Sequence, residues 1–152
     1  MQTKFSKSHA FIIPWPICET VIDHYGHVNN VAYVKQLETT AWAHSNHLGL
    51  SIEQYQTLDR GMAITEHHIQ YRAAVNVGDT LHCATWITHC DRRLYLTRYF
   101  EFYSQYKQTV VLTAQTHFAC IALSSGKPAR MPEAFAQPYY AEMLRQANEQ
   151  EC

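Results

Sequence analysis

Asp23-His24-Tyr25-Gly26-His27-Val28-Asn29-Asn30, running directly into Val31-Ala32-Tyr33-Val34, sets an acid, a glycine turn and two capping asparagines ahead of the clearest helical pattern in the chain. Val31, Val34, Leu37, Ala41 and Leu48 recur at helical spacing, with Lys35, Gln36 and Thr39 off that stripe. Asn29 or Asn30 caps this helix, and Gly49 stops it after His47-Leu48. It is the longest internal helix the sequence predicts. A carboxylate just ahead of it can be aimed at the positive end of the helix. Chemistry that builds negative charge on an oxygen needs a donor of that kind.

Downstream, Ser51 to Leu58 reads as a short second helix, capped by Ser51 and ended by Arg60-Gly61. Beyond Gly61 the period changes. Met62 to Tyr71 reads as a strand, closed by the turn signal Val77-Gly78-Asp79. Leu81, Cys83, Thr85 and Ile87 alternate with His82, Ala84, Trp86 and Thr88. Asp91-Arg92-Arg93 turns the chain, and Leu94, Leu96, Phe100 and Phe102 then alternate with Tyr95, Thr97, Tyr99 and Tyr103. Val110 to Leu123 is a third long run, with Val110, Leu112, Ala114, Phe118 and Cys120 on one face. Polar turns at Gln105 to Gln108 and Ser124 to Lys127 make these runs antiparallel neighbours. Pro132 opens a C-terminal helix over Glu133 to Asn148 with Phe135, Tyr139, Met143 and Leu144 on its apolar side, and Pro138 weakens its first part. Upstream, Phe11 to Cys18 has the composition of a strand, and its two prolines place it at a sheet edge.

The order is strand, long helix, then a meander of four strands whose alternation marks each as half-buried. One sheet face needs a cover, and the long helix supplies it. The expected fold is α+β: a curled antiparallel sheet of about five strands wrapped around one central helix, a single domain over residues 1–152. Tyr95, Tyr99 and Tyr103 on the other face predict contact with another subunit, a dimer being the economical assembly.

Composition narrows the function. With 152 residues, 47% of them apolar and 16% charged, the chain can bury a sizeable core and is not a disordered one. A net charge of −1 argues against a general nucleic-acid binder. No apolar run reaches the length of a membrane span, and Met1 to Phe5 lacks a signal-peptide core, so a cytoplasmic location is expected. Five scattered cysteines (Cys18, Cys83, Cys90, Cys120, Cys152) read as free thiols in a reducing compartment. Ten histidines include the pairs His24/His27 and His44/His47, but no further ligands follow at zinc spacing, so no metal and no organic cofactor is expected.

On spacing alone, Asp23 reads first as an Asx-turn residue. Asn29 and Asn30 read first as caps.

The box Asp23-x-x-Gly26-His27-Val28-Asn29-Asn30-x-x-Tyr33 resembles that of the hot-dog-fold acyl-CoA thioesterases, in their 4-hydroxybenzoyl-CoA thioesterase-like branch. Tyr71 with Gly78-Asp79, Arg92-Arg93 before a strand, and Gly126 to Pro132 follow in the family's order, so the likeness runs from Ile12 to Phe135. It implies a homodimer joining two sheets into one, often paired again as a tetramer, with sites at the subunit interface. It implies Asp23 as the catalytic carboxylate, either attacking the acyl carbon or taking a proton from water. The backbone N–H around Asn30 would polarise the thioester carbonyl, and Gly26 would bring acid and amide together. His27, Asn29, Tyr33, Glu66 and His68 are the expected substrate contacts, while Arg92, Arg93 and Arg130 would hold the phosphates of coenzyme A. Glu38 reads as a helix-surface residue. Two positions depart from the family pattern: Val21 where many relatives carry a second acid, and His24 where a small or acidic residue is common.

The rivals are an acyl-acyl-carrier-protein thioesterase on the same fold, and a hot-dog protein that binds acyl thioesters without cleaving them. A hot-dog dehydratase lacks support, because its Asp-x-Asn-Pro-x-His pattern is absent.

Overall fold

In β1 (Phe11–Pro16), Phe11, Ile13 and Trp15 are half-buried while Ile12, Pro14 and Pro16 are exposed. The strand runs antiparallel to β3 (Thr80–Cys90), from Phe11 opposite Thr85 to Pro16 opposite Thr80. It forms one edge of the sheet, and the shared parity of its two prolines lets both missing N–H groups fall on one side of the strand. The computed structural model describes residues 5–148, so Cys152 lies outside the described residues.

A short 3-10 turn at Glu19–Val21 leads to α1 (Asn30–His47), α2 (Ile52–Thr57) and β2 (Arg60–Tyr71). After β3 come β4 (Tyr95–Ser104), β5 (Thr109–Ala122) and α3 (Glu133–Asn148). The five strands make one antiparallel sheet in the order β1-β3-β4-β5-β2. The α+β architecture is the one expected, with a correction. β3, β4 and β5 form the meander, but β2 lies beyond β5 at the opposite edge rather than beside β3. Alternation fixes a strand's faces and says nothing about which strand it pairs with.

The chain packs as two compact units. The first holds the residues up to His44 together with Ile69–Thr85 and Phe100–Ala114. Its core joins Ala32, Tyr33 and Leu37 of α1 to Leu81, Cys83, Phe100, Phe102, Leu112 and Ala114 of the sheet. The buried stripe of α1 differs from the apolar one expected: Val31 is 75% exposed, whereas Gln36, Thr40 and His44 are buried. These polar groups are satisfied locally. Thr40 Oγ1 donates to the Gln36 carbonyl at 2.7 Å, and Phe11 stacks on the His44 ring at 5.0 Å. Burial pushes the Cys83 thiol up, although the Gln36 and Thr40 side chains pull it the other way. Glu38 is exposed.

Gly78, at φ +91°, turns the chain into β3, and the buried Asp79 ties the turn to the β4–β5 hairpin. Its carboxylate accepts from the Thr80 amide (2.7 Å), the Tyr106 amide (3.1 Å) and the Ser104 hydroxyl. Tyr103 is 7% exposed because Phe5 packs edge-on against its ring, while the Ser6 amide and hydroxyl bind Glu101.

The second unit holds Ser45–His68, Trp86–Tyr99 and the chain from Gln115 onward. Ser51 caps α2 by accepting from the Gln54 amide, as expected. The helix ends at Leu58 and Asp59 (φ +53°), not at Arg60-Gly61, which open β2. A Cβ at Gly61 would lie 2.7 Å from Leu123 Cδ2, so a larger residue there would displace that exposed side chain.

The α1 helix is not the sheet's sole helical companion. α3 runs through Pro138 and buries Phe135 and Tyr139, with Phe135 stacked on Tyr55 at 4.1 Å. The Tyr139 hydroxyl bonds Ser45 (2.9 Å) and Tyr55, and burial pushes the Tyr55 phenol up. Leu144, expected on the apolar side, is 43% exposed, and Gln146 is buried instead. β3 and β4 are correspondingly buried on both faces, not half-buried; β4 even buries Arg98, where burial pulls the guanidinium below its ordinary range and Tyr139, Tyr55 and Glu142 offset only part of that.

Candidate active site

The Asp23 loop closes on itself in the first unit. Ile22 and Val28 form an antiparallel bridge, the Asp23 amide donates to the His27 carbonyl (2.8 Å), and the Gly26 amide donates back to the Asp23 carbonyl (3.1 Å). Gly26 sits at φ +78°, in the left-handed region where a Cβ is strained even with open space around it. The Val28 amide donates to the Val75 carbonyl at 3.0 Å and anchors the loop.

Asp23 is half-buried, and its Oδ1 accepts from the amides of Tyr25 (2.9 Å) and His27 (3.3 Å). This is the Asx-turn that spacing alone predicts. The other oxygen, Oδ2, meets no donor among the described residues. The His27 side chain is exposed.

Asn29, not Asn30, is the N-cap of α1. Its Oδ1 accepts from the Ala32 amide (2.8 Å) and its Nδ2 donates to the Val21 carbonyl (3.0 Å), so its carboxamide is committed at both ends. The amides of Asn30 and Val31 donate to nothing among the described residues. They are the open, positively polarised end of an 18-residue helix.

Asn30 brings in a residue whose part the sequence leaves blank. The Tyr71 hydroxyl, 41 positions away at the end of β2, donates to Asn30 Oδ1. The Tyr71 ring lies 5.6 Å from that of Tyr33, which in turn meets Trp15 at 5.8 Å. Tyr33 is 4% exposed, and burial, followed by the neighbouring Tyr71, pushes its phenol up to about 12. The long sequence separation explains the omission: no local spacing links Tyr71 to the loop. Tyr25 (85% exposed) and Val31 add apolar surface to the loop and the helix start.

The remaining expected contacts lie in the second unit. Glu66 and His68 are exposed on β2, while His67 between them points the other way and bonds Thr116 Oγ1 through Nδ1 at 2.9 Å. Arg92, Arg93 and Arg130 converge with Asp91 and Glu133 on a groove of about 500 Å³. The Met131 amide donates to the Arg93 carbonyl (2.7 Å), which brings Arg130 to the turn. Asp91 builds that turn by accepting with Oδ1 from the amides of Arg93 (2.8 Å), Leu94 (2.9 Å) and Tyr95 (3.0 Å). Arg92, at φ +60°, stacks its guanidinium 4.2 Å above the Tyr140 ring. Three guanidiniums around an open groove suit phosphate oxygens. Among the described residues no three His, Cys, Asp or Glu side chains are grouped as metal ligands, and no helix is long and apolar enough to cross a membrane.

The fold is shared with solved structures at low sequence identity. The chain is similar to a Staphylococcus aureus hypothetical protein in complex with CoA (18% identity, TM-score 0.83, covering 90% of this chain and 85% of that one). It is also similar to a 1,4-dihydroxy-2-naphthoyl-CoA thioesterase from Synechocystis (20%, TM-score 0.76, 89% and 96%). A DHNA-CoA thioesterase from Staphylococcus aureus aligns at 20% identity and TM-score 0.81, over 93% and 94%. No curated protein matches the chain. The family model of the Thioesterase-like superfamily matches residues 20–138, from just ahead of the Asp23 loop into α3. The chain therefore belongs to the Thioesterase-like superfamily and is a hot-dog-fold thioester hydrolase.

Proposed function

We propose that the protein is an acyl-CoA thioesterase releasing a free carboxylic acid and coenzyme A, with Asp23 as its catalytic carboxylate. The observation that carries this is the pairing, within one loop and helix start, of a half-buried carboxylate with the undonated amides of Asn30 and Val31. Thioester hydrolysis needs an oxygen nucleophile at the acyl carbon and donors for the oxyanion that follows. Asp23 Oδ2 attacks the carbon directly, expelling the coenzyme A thiolate and giving an anhydride that water opens, or takes the proton of an attacking water whose tetrahedral adduct then expels the thiolate. The helix amides receive the carbonyl oxygen in either route. Gly26 and Asn29 shape the loop, and His27, Tyr33, Glu66 and His68 are proposed as substrate contacts.

Arg92, Arg93 and Arg130 are proposed to hold the phosphates of coenzyme A. The CoA complex and the CoA thioesterases among similar structures support that choice of thiol over a carrier protein. A homo-oligomer is part of the reading: β2 is a sheet edge along which Ile64 to His68 are all exposed. The free thiols of Cys18, Cys83, Cys90 and Cys120 support a cytoplasmic setting.

The test is a thiol-release assay with acetyl-, hexanoyl-, palmitoyl- and benzoyl-CoA on the wild type and Asp23→Asn. Turnover of at least one ester by the wild type and its near loss in the variant is the expected result. Near-wild-type rates for Asp23→Asn would remove that acid from the mechanism. Release from carrier-protein esters alone would transfer the protein to the other thioesterase class.

A further inference from the structure

Asn29 and Asn30 are neighbours with different fates. The Asn29 carboxamide is used at both ends, on Ala32 and Val21, and has no polar group left for a ligand. The Asn30 carboxamide is used at one end: Oδ1 takes the Tyr71 hydroxyl, and Nδ2 meets no acceptor among the described residues. Its backbone amide, and that of Val31, stand undonated beside it.

Tyr71 is held in place from two sides. Its ring packs 5.6 Å from that of the buried Tyr33, and the next residue fixes the end of β2, the Arg72 amide donating to the Val111 carbonyl at 2.8 Å. Burial raises the Tyr71 phenol, so it remains a protonated donor at neutral pH. A planar carboxamide whose oxygen is pinned has its NH2 oriented as well.

We infer that the Asn30 side-chain NH2, oriented by Tyr71, is a further donor to the thioester carbonyl oxygen alongside the Asn30 and Val31 amides, and that Tyr71 is a positioning residue for the reaction. This rests on the thioesterase reading given above. Removing one donor of an oxyanion site costs about 10²–10³ in kcat. Removing only the hydroxyl that aims it costs less, about tenfold, the worth of one hydrogen bond.

The experiment compares kcat and KM of the wild type, Tyr71→Phe, Asn30→Ala and the double variant on whichever of the four CoA esters turns over fastest. Asn30→Asp, which keeps an acceptor for Tyr71 and deletes the NH2, is a second probe of the donor should Asn30→Ala fail to fold. The bound carbonyl is followed by isotope-edited infrared spectroscopy with the ¹³C=O ester in the Asp23→Asn background. Tyr71→Phe is expected to lose about tenfold in kcat with KM within about twofold. Asn30→Ala and Asn30→Asp should lose about a hundredfold, the double variant no more than Asn30→Ala, and the carbonyl band should move toward its solution frequency without the Tyr71 hydroxyl. Wild-type kcat in Tyr71→Phe, losses that multiply in the double variant, or an unmoved band would overturn the inference. If Asp23→Asn is inactive while Tyr71→Phe keeps the wild-type kcat, the inference alone falls. If the wild type cleaves none of the esters, the thioesterase reading falls and takes the inference with it.

Discussion

The Asp23 loop and the Asp91 turn are built on one local device, an aspartate whose Oδ1 collects backbone amides, two in the first case and three in the second. Each also contains a residue in the left-handed region, Gly26 at φ +78° and Arg92 at φ +60°. They part company in their surroundings. The first runs into a helix whose leading amides have no acceptor among the described residues, whereas the second carboxylate oxygen meets no donor among them in either turn. The second leads into β4 with arginines at its tip, beside a groove shared with Arg130. The lesson is that an Asx-turn is neutral about function. A structural aspartate and one proposed as catalytic can show the same local bonds, and the difference lies in which other groups remain unsatisfied.

The sharpest way to break that contrast is to make the same substitution in both. Asp23→Asn keeps an oxygen for the Tyr25 and His27 amides but removes the nucleophile or base, so kcat for acyl-CoA hydrolysis should fall by about 10²–10⁴. Asp91→Asn should leave kcat within about twofold, because it preserves a turn acceptor and touches no reacting group. Equal losses, measured side by side by thiol release, would mean that both turns are simply scaffold.

The proposed site was legible where its chemistry is local. Asp23, Gly26, Asn29 and Asn30 fall within eight consecutive residues, and their identities dictate turn, cap and exposed amides. Tyr71 was visible as a landmark but not as a partner of Asn30, since that contact depends on where β2 ends relative to α1. The sheet order failed for a related reason: β2 pairs across the sheet, while alternation carries only face information. On α1 the error was chemical. A stripe drawn through apolar residues misses Gln36 and Thr40, whose side chains bond within the helix, and His44, whose ring stacks on Phe11.

The arginine side of the contrast is sharpened by charge reversal. Arg92→Glu with Arg93→Glu should raise KM for coenzyme A esters by about ten- to a hundredfold while sparing kcat, since charge-assisted phosphate bonds of about 1.5–3 kcal/mol are replaced by repulsion. The same acyl group on pantetheine, which lacks the nucleotide, should show no such change. An unchanged KM for the coenzyme A ester would return these arginines to the solvated surface.

A smaller effect separates the two left-handed residues. Gly26→Ala places a Cβ in that region, at a net cost of about 1 kcal/mol after the gain in unfolded-chain entropy. Arg92→Gly relieves strain of about 1 kcal/mol but gives up a comparable sum of chain entropy and the contact with the Tyr140 ring. Thermal melts should therefore show a Tm several degrees lower for Gly26→Ala and a Tm within about 2 °C of wild type for Arg92→Gly. The KM of Arg92→Gly should nevertheless rise. A large loss of Tm in Arg92→Gly would show that the arginine is retained for stability, not for a ligand.

The smallest effect isolates what the Asp91 charge contributes. Partial burial works to raise this carboxyl, but the amides of Tyr95, Arg93 and Leu94, with His89 nearby, outweigh it and hold the group below the usual carboxylate range. A carboxylate whose pKa is lower folded than unfolded stabilises the protein above its unfolded value of about 3.9, and the contribution disappears as pH falls through the folded value. Asp91→Asn retains the acceptor and loses the charge, so its Tm should lie slightly below wild type at pH 6 and converge with it as pH falls below about 4. Because most of the group is open to solvent, added salt should shrink the gap as well. A difference in Tm that stays constant from pH 6 to pH 2 would assign the turn's stability to the shape of the side chain rather than its charge, and would leave the Asp91 turn resting on the same neutral hydrogen bonding that any Asx-turn provides.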